Sequence, residues 1–522
     1  MKDSNTSERT TNAKRNICFG FIQVVVSIVL PFVVRTVLIY RFGVDYLGLN
    51  SLFTSILSVL SLMELGFGTA VVFSLYKPVA ENDSGLICAF LTYFRKMYRI
   101  IGLAIVVVGL LLLPFLKYLI HDAFMPGGLN LYICYLIFLG NTVISYWLYG
   151  YLAVIPTAYQ RKDLLSKVDI GISLLAFIVK CLLLLASDNF YLYLLALPLI
   201  TVMHNLVCAC IIRKKYPELV CKGELDYNQK QDLSRRVRGL FIEKVTSVSR
   251  NSIDTLCISA FIGLTVTGKY NNYFYIMTSV IAVSTMLLNS MMAGVGNSIA
   301  VENQEKNYAD MKMFDYIYTG AAGWSTICLL CLYQPFIKIW LGDDMLLGMP
   351  VVVALCAYFY ILKSGDIRWV YHEGKGLWYE SRFIMIGEAS VNVFLNIILC
   401  KVMGVLGIVL ATVVSVFITN FIFCPRLLFK MYFRNNKLQE YWKDHIAYTV
   451  TMLLTAGICW LICEGFLPAD MVEENRVLNC IFCLGGRLLI CTAVAVVVFW
   501  LIWHKSERYS KALKWLRRVA RL

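Results

Sequence analysis

Glu243, Ser247, Arg250 and Asp254 advance along one apolar run by four, three and four residues. At 100° per residue this confines them to an arc of roughly 60° on a single helix face. An ionisable side chain at the centre of a membrane helix costs at least ~2.5 kcal/mol, so such a stripe must face a cavity or a partner. Arg250 sits near the middle of the run, where its planar guanidinium can meet a diphosphate through paired hydrogen bonds. Asp254, one turn on, would hold Arg250 until a ligand competes. The same two residues also fit a lasting Arg–Asp contact. Arg35, in the first apolar run, is a second candidate for countering an anionic ligand.

Three further polar stripes suit a water-facing wall. Asn50, Thr54, Ser58, Ser61, Glu64 and Gly68 span about 120° of one helix with an acid near the middle. Asn271, Tyr275, Thr278, Thr285 and Asn289 form another, and Glu388, Asn392 and Asn396 recur at successive turns. Hydroxyls and amides at this density can hydrate a sugar head group, and they also serve as interhelical contacts. Glu64, Glu243, Asp254 and Glu388 are the acidic candidates for proton or sodium coupling. Asn271, Asn289 and Asn392 are the amide candidates for lining the path.

His204 has no carboxylate within a turn, which favours a hydrogen-bonded packing role. Arg487 stands alone in an apolar run behind Gly485 and Gly486, facing a groove or lipid phosphate. The eighteen cysteines lie mostly inside apolar runs, and the close pairs Cys208/Cys210 and Cys480/Cys483 have no second pair nearby. No metal site and no cofactor is expected from that spacing. No G-x-x-x-x-G-K-[ST] loop occurs. No stretch outside the apolar runs is long enough for a catalytic domain, so no catalytic residue is assigned and an enzyme is not expected.

These stripes belong to elements dictated by composition. Of 522 residues, 59% are hydrophobic and 16% charged, against about 25% charged in a soluble domain. With a mean hydropathy of +0.69, the chain reads as an all-α polytopic membrane protein. Fourteen spans are predicted at 17-40, 49-74, 97-119, 130-153, 166-187, 190-212, 239-262, 271-299, 313-337, 346-363, 382-403, 406-425, 446-467 and 477-503. The net charge of +15 follows topology and not nucleic acid. Thirty-seven of the 48 Lys and Arg residues fall on one side, six on the other and five within spans. The positive-inside rule then places both termini in the cytoplasm.

Residues 213-238 form the longest internal polar stretch. They divide an N-lobe at 17-212 from a C-lobe at 239-430, followed by two more helices at 431-503. Residues 1-16 are a cytoplasmic N-terminus and 504-522 a basic amphipathic tail suited to anionic lipid. Pro114-Phe115-Leu116-Lys117 matches Pro335-Phe336-Ile337-Lys338, and Gly66-Phe67-Gly68 matches Gly294-Val295-Gly296. Two six-helix lobes in parallel repeat, with a path between them, would produce such matches.

Residues 46-83, YLGLNSLFTSILSVLSLMELGFGTAVVFSLYKPVAEND, resemble the second-helix region of bacterial polysaccharide repeat-unit flippases. These are the O-antigen and capsule translocases of the multidrug/oligosaccharidyl-lipid/polysaccharide exporter superfamily. RKMYRIIG at 95-102, AYQRKD at 158-163, RNSIDTLCIS at 250-259 and KYNNYFYI at 269-276 agree, and the resemblance extends over nearly all of 17-503. It implies a fourteen-helix, two-lobed fold in the bacterial cytoplasmic (inner) membrane. It further implies movement of an undecaprenyl-diphosphate-linked oligosaccharide to the outer leaflet by alternating access, without ATP. Implied partners are the lipid-linked oligosaccharide, membrane lipid, and the glycan polymerase and glycosyltransferases of surface polysaccharide assembly. Lipid II flippases place basic residues in early helices. Arg35 matches in kind, whereas the second span carries Glu64 and the eighth no basic residue. A multidrug/cation antiporter of the same superfamily and a non-transporting scaffold for glycan-assembly enzymes are the competing expectations.

Overall fold

The computed structural model describes residues 2–64, 66–120, 126–433, 437–468 and 480–519. Among these the chain is helical throughout, with no strand. It divides into two compact units, Met1–Gly268 and Lys269–Leu522. The first contains α1 (Lys2–Phe42), α2 (Val44–Leu60), α3 (Phe67–Glu81), α4 (Ser84–Leu112), α5 (Leu131–Trp147), α6 (Val154–Ala158), α7 (Asp163–Ala186), α8 (Phe190–Lys215) and α9 (Tyr227–Phe261). Helix α10 (Leu264–Val301) begins in this unit and continues into the second. The second unit adds α11 (Gln304–Leu341), α12 (Met349–Lys363), α13 (Asp366–Gly374), α14 (Trp378–Met403), α15 (Val405–Phe417), α16 (Cys424–Leu428), α17 (Leu438–Phe466), α18 (Gly486–Trp503) and α19 (Glu507–Val519).

Each of the fourteen predicted spans overlaps helix among the described residues. Ten helical segments among the described residues are long and apolar enough to cross a membrane, and the bent pair formed by α5 and Gly150–Ala158 makes an eleventh. The other three runs are also placed on helices. The run 49-74 is cut at 61–66 into helices of 17 and 15 residues. The run 239-262 lies in the 35-residue α9, which includes the apolar stretch Ser252–Phe261. The run 271-299 lies in α10.

Helix starts follow capping chemistry. Asp83 accepts from the Leu86 amide at 2.9 Å, Asn130 from Tyr132 at 3.0 Å, Asn189 from Tyr191 at 3.0 Å, and Asn303 from Lys306 at 2.8 Å. Each satisfies an amide that the helix ladder leaves open. Asp226 and Gln229 close a capping box at the start of α9. The basic stretch 213-238 thus ends one helix and opens the next.

In the first unit α1 packs along α7, α5 along α8, and α2 along α9. Phe67, Leu75, Phe94 and Tyr216 anchor a core shared by α3, α4 and the segment after α8. Gly48 permits the closest approach: a Cβ there would fall 2.1 Å from the Leu264 carbonyl oxygen, and one at Gly268 would fall 2.5 Å from that of Val44. Small residues let backbones meet in this way in membranes.

In the second unit α14 packs on α15, and α11 on α12, α17 and α18. The segment after α15 widens into a π-helical turn, Ile418–Phe423, just ahead of Pro425. Proline has no amide to offer the Phe421 carbonyl four residues back. Trp442 of α17 supplies the missing donor, its Nε1 lying 2.8 Å from the Phe421 oxygen. One indole thereby supplies a donor to that carbonyl and fastens α17 to the segment after α15. Helix α19 packs on α11, with Trp515 edge-on to Phe314 and Arg508 2.7 Å from Asp444.

The fragments matched between the predicted lobes take different conformations. Pro114–Lys117 forms a 3-10 turn, whereas Pro335–Lys338 continues α11. Gly66 adopts φ +83° at a helix break, whereas Gly294–Gly296 lies within α10.

Candidate functional site

The break between α2 and α3 builds the first polar site. A 3-10 turn, Ser61–Glu64, ends one helix and Gly66 in the left-handed region starts the other. The interruption sets Glu64 against α4 and α5. Tyr98 Oη donates to Glu64 Oε1 at 2.8 Å, and Tyr146 lies within electrostatic reach of Glu64. The tyrosine rings meet edge-on at 5.4 Å. A carboxylate taking a phenolic donor, with a second phenol beside it, is held in place where an unsolvated charge is costly. Gly68 lies against the same carboxylate, and a Cβ there would make ordinary contact with Glu64 Oε1 at 3.5 Å.

Arg35 is half-buried on α1, within electrostatic reach of the buried Tyr193 of α8. Arg250 is half-buried on α9 and Asp254 is buried one turn on, and both engage polar or charged neighbours. Thr246, Ser252, Thr255 and Ser259 are buried on the same helix. The side chains of Glu243 and Ser247, the other members of that stripe, lie outside the described residues, as does that of Asn289.

His204 does have a carboxylate partner, contrary to its isolation in sequence. Its Nε2 lies 2.8 Å from Asp169 Oδ1 across α7 and α8. Gln23 of α1 donates to Asp169 Oδ2 at 2.6 Å and accepts from Ser166 at 2.7 Å. Asp169 is 35 residues from His204 in sequence, so no local spacing could have shown the pair.

The second unit contains a cavity of about 620 Å³ lined by α12, α15, α16 and α17. Its wall is aliphatic and aromatic, including Tyr360, Phe417 and Leu453, and Arg426, Trp442 and His445 close one end. The Arg426 guanidinium lies 5.6 Å from the Trp442 ring centroid. His445 Nε2 is 2.9 Å from Asp315 Oδ2, both residues being buried. An apolar volume with cationic and aromatic groups at one end can take the hydrocarbon of an amphiphile together with an anionic head.

Arg368 of α13 is the deepest cation near this region, at 1% exposed. Its Nη1 meets Tyr441 Oη at 2.8 Å, and no acceptor among the described residues meets Nε or Nη2. His372, one turn on and equally buried, stacks on Trp369 at 4.6 Å. The predicted tenth span ends at Lys363 and leaves Arg368 between spans. The structure continues the span through Met349–Gly374 and buries both residues. Lys363 pairs with Asp366, whose Oδ2 also accepts from Tyr318 at 2.7 Å. The alternation Asp-Ile-Arg-Trp-Val-Tyr-His could have signalled this, since its apolar residues fall at helical spacing.

Glu388 is buried on α14, and Asn271 is half-buried on α10; each has a partner. Asn392 is knitted into the contact between α14 and α15, donating to Thr412 Oγ1 at 2.9 Å and receiving Asn396 Nδ2 at 3.2 Å. Arg487 is not alone and does not face lipid. It is 1% exposed and donates to Glu464 Oε1, the Cys331 carbonyl and the Leu467 carbonyl, each at 2.9 Å. Close by, the thiols of Cys331, Cys463 and Cys491 converge from three helices, a cluster that a search for closely spaced cysteine pairs could not reveal.

No protein-family model and no curated protein matches the chain. Solved structures do. A lipid II flippase, MurJ, in an inward closed conformation aligns with a TM-score of 0.66 at 14% identity, covering 93% of this chain and 98% of its own. An inward-facing multidrug resistance MATE family transporter of the MOP superfamily aligns at 0.62 and 12% identity, covering 79% and 95%. A MOP superfamily transporter from Pyrococcus furiosus aligns at 0.57 and 12% identity, covering 83% and 97%. At these identities the likeness is one of architecture: the chain has the all-α polytopic fold of the MurJ and MATE transporters.

Proposed function

We propose that this protein is a flippase for undecaprenyl-diphosphate-linked oligosaccharide repeat units, working by alternating access in the bacterial cytoplasmic membrane during O-antigen or capsule assembly. The reading is carried by the alignment to a lipid II flippase over 93% of the chain, where the two MATE family and MOP superfamily transporters compared cover 79% and 83%. The cavity of the second unit supports it, because an exposed arginine at the end of an apolar volume attracts an anionic amphiphile and repels a lipophilic cation. Arg250 and Arg35 are assigned to the diphosphate, since two phosphate charges entering a low-dielectric path without cations would cost several kcal/mol. Asn271, Asn289 and Asn392 are assigned to the saccharide. Glu64, Glu243, Asp254 and Glu388 are the groups through which protons or sodium would drive the cycle. Glycan polymerase and glycosyltransferases are the expected neighbours in the membrane, and both termini are expected in the cytoplasm.

The test is reconstitution. Proteoliposomes carrying a fluorescent undecaprenyl-diphosphate oligosaccharide are exposed to a membrane-impermeant quencher. The proposal expects the protected inner-leaflet pool to become accessible only with the protein present. Equal protection with and without protein refutes it.

A further inference from the structure

Five of the eighteen cysteines gather at one place in the second unit. Cys331 on α11, Cys463 on α17 and Cys491 on α18 have sulfur atoms all within 4.8 Å of one another, and each residue is 0 to 1% exposed. Cys459, one turn before Cys463, and Cys328, three residues before Cys331, are also buried and belong to the same cluster as Cys491. A cysteine packs well as a small hydrophobe, which explains the burial of any one of them. It does not explain why sulfurs from three separate helices point at a common centre. Three sulfurs each about 2.3 Å from one ion stand about 4 Å apart, so this arrangement closes on an ion with small side-chain rotations.

A second observation points the same way. Arg487, one turn before Cys491, is buried against the cluster and within electrostatic reach of Cys463. Its Nε and Nη1 are satisfied by the Leu467 and Cys331 carbonyls and by Glu464. Its Nη2 has no hydrogen-bond partner among the described residues. A set of thiolates in hydrocarbon needs a neighbouring cation and N–H donors to the sulfurs, and this guanidinium offers both.

We propose that Cys331, Cys463 and Cys491 form a buried site for a thiophilic metal ion, with Arg487 as its outer-shell donor. Soft thiolate ligands select copper(I) and zinc(II) from the ions a cell offers. Three sulfurs suit copper(I), and recruitment of Cys459 gives the four that zinc prefers. Each coordinating thiol releases its proton to solvent as the metal–sulfur bond forms. The ion ties α17 and α18 to α11, a role that stands whether or not the flippase reading does.

The full chain, purified in detergent under reducing conditions, is titrated with chelator-buffered copper(I) and, in parallel, with zinc(II), and metal is counted after gel filtration. The expectation is about one ion per chain. The triple variant Cys331→Ser/Cys463→Ser/Cys491→Ser should lose at least about tenfold in bound metal. Cys356→Ser, which alters another buried thiol of the same unit, should bind as wild type. Loss of zinc but not copper(I) in Cys459→Ser identifies the four-sulfur form. Because the triple variant can fail to fold, X-ray absorption on the metal-loaded wild type gives an independent reading: three or four sulfurs at about 2.3 Å are expected. A wild-type protein that retains neither metal, or one whose bound ion has no sulfur neighbours, overturns the proposal.

Discussion

Replacing Trp442 by phenylalanine isolates the hydrogen bond that the indole supplies ahead of Pro425. The substitution keeps most of the aromatic volume against α15 and deletes only the indole N–H that lies 2.8 Å from the Phe421 oxygen. In a membrane protein an ordinary interhelical hydrogen bond contributes about 0.6 kcal/mol, at most about 1.7. Here the loss is greater, because the carbonyl cannot fall back on the amide of residue 425 and is left without a donor, at about 1–3 kcal/mol. For a unit of this size each kcal/mol moves the melting midpoint by about 2–4 °C, so a fall of about 6 °C is expected for a mid-range cost of 2 kcal/mol. The assay is thermal unfolding of the purified chain in one detergent, followed by intrinsic fluorescence and by retention of the monodisperse gel-filtration peak. The decisive arm is the Pro425→Ala background, where alanine restores an amide four residues after Phe421. There Trp442→Phe should cost less than half as much. An equal loss in both backgrounds would show that the indole acts by packing alone, and the missing-donor argument would fall.

Arg250→Ala should abolish translocation in the proteoliposome assay while membrane abundance stays normal, and Arg250→Lys should keep only part of the rate, because an ammonium lacks the paired geometry; wild-type flux in Arg250→Ala removes this residue from the path. Arg368→Met should hold or raise the melting midpoint, as apolar replacement of a buried charge commonly does, by about 1–4 kcal/mol, and should lower translocation; unchanged flux would make Arg368 purely structural. Tyr98→Phe removes one charged hydrogen bond to Glu64, at about 1.5–3 kcal/mol, and should destabilise the first unit measurably, whereas a melting midpoint equal to wild type would show Glu64 to be held by other groups. Gly48→Ala should sharply reduce folded protein, because the new Cβ would fall 2.1 Å from a backbone oxygen, while Gly140→Ala, which meets nothing within 4 Å, should be silent; comparable abundance of the two variants counts against the close approach of α2 to Leu264.

Hydropathy made most of the architecture legible, because crossing hydrocarbon requires about twenty apolar residues and leaves a signal no local choice can hide. It failed where polar groups cluster inside a span. The run 49-74 looked continuous because Gly66 does not interrupt hydrophobicity, although its φ of +83° interrupts the helix. The predicted span stopped at Lys363 because Arg368 and His372 beyond it are polar, yet all three are buried. The stripe on α9 was visible from helical spacing, and Arg250 and Asp254 do lie on that helix. Asp169–His204 and the three-helix thiol cluster were invisible because tertiary packing alone brings their members together. Glu64 was found as one member of a stripe, while its two tyrosine neighbours belong to helices whose register no periodicity fixes.

The break at residues 61–66 also constrains how this sequence can drift. Position 66 tolerates little but glycine, and the carboxylate at 64 must keep its phenolic donor. The lipid-facing apolar residues around them need only remain apolar. Over long divergence the acid and the left-handed glycine two positions on should outlast the surrounding text, so diverged homologues would be better sought by this pair than by overall likeness.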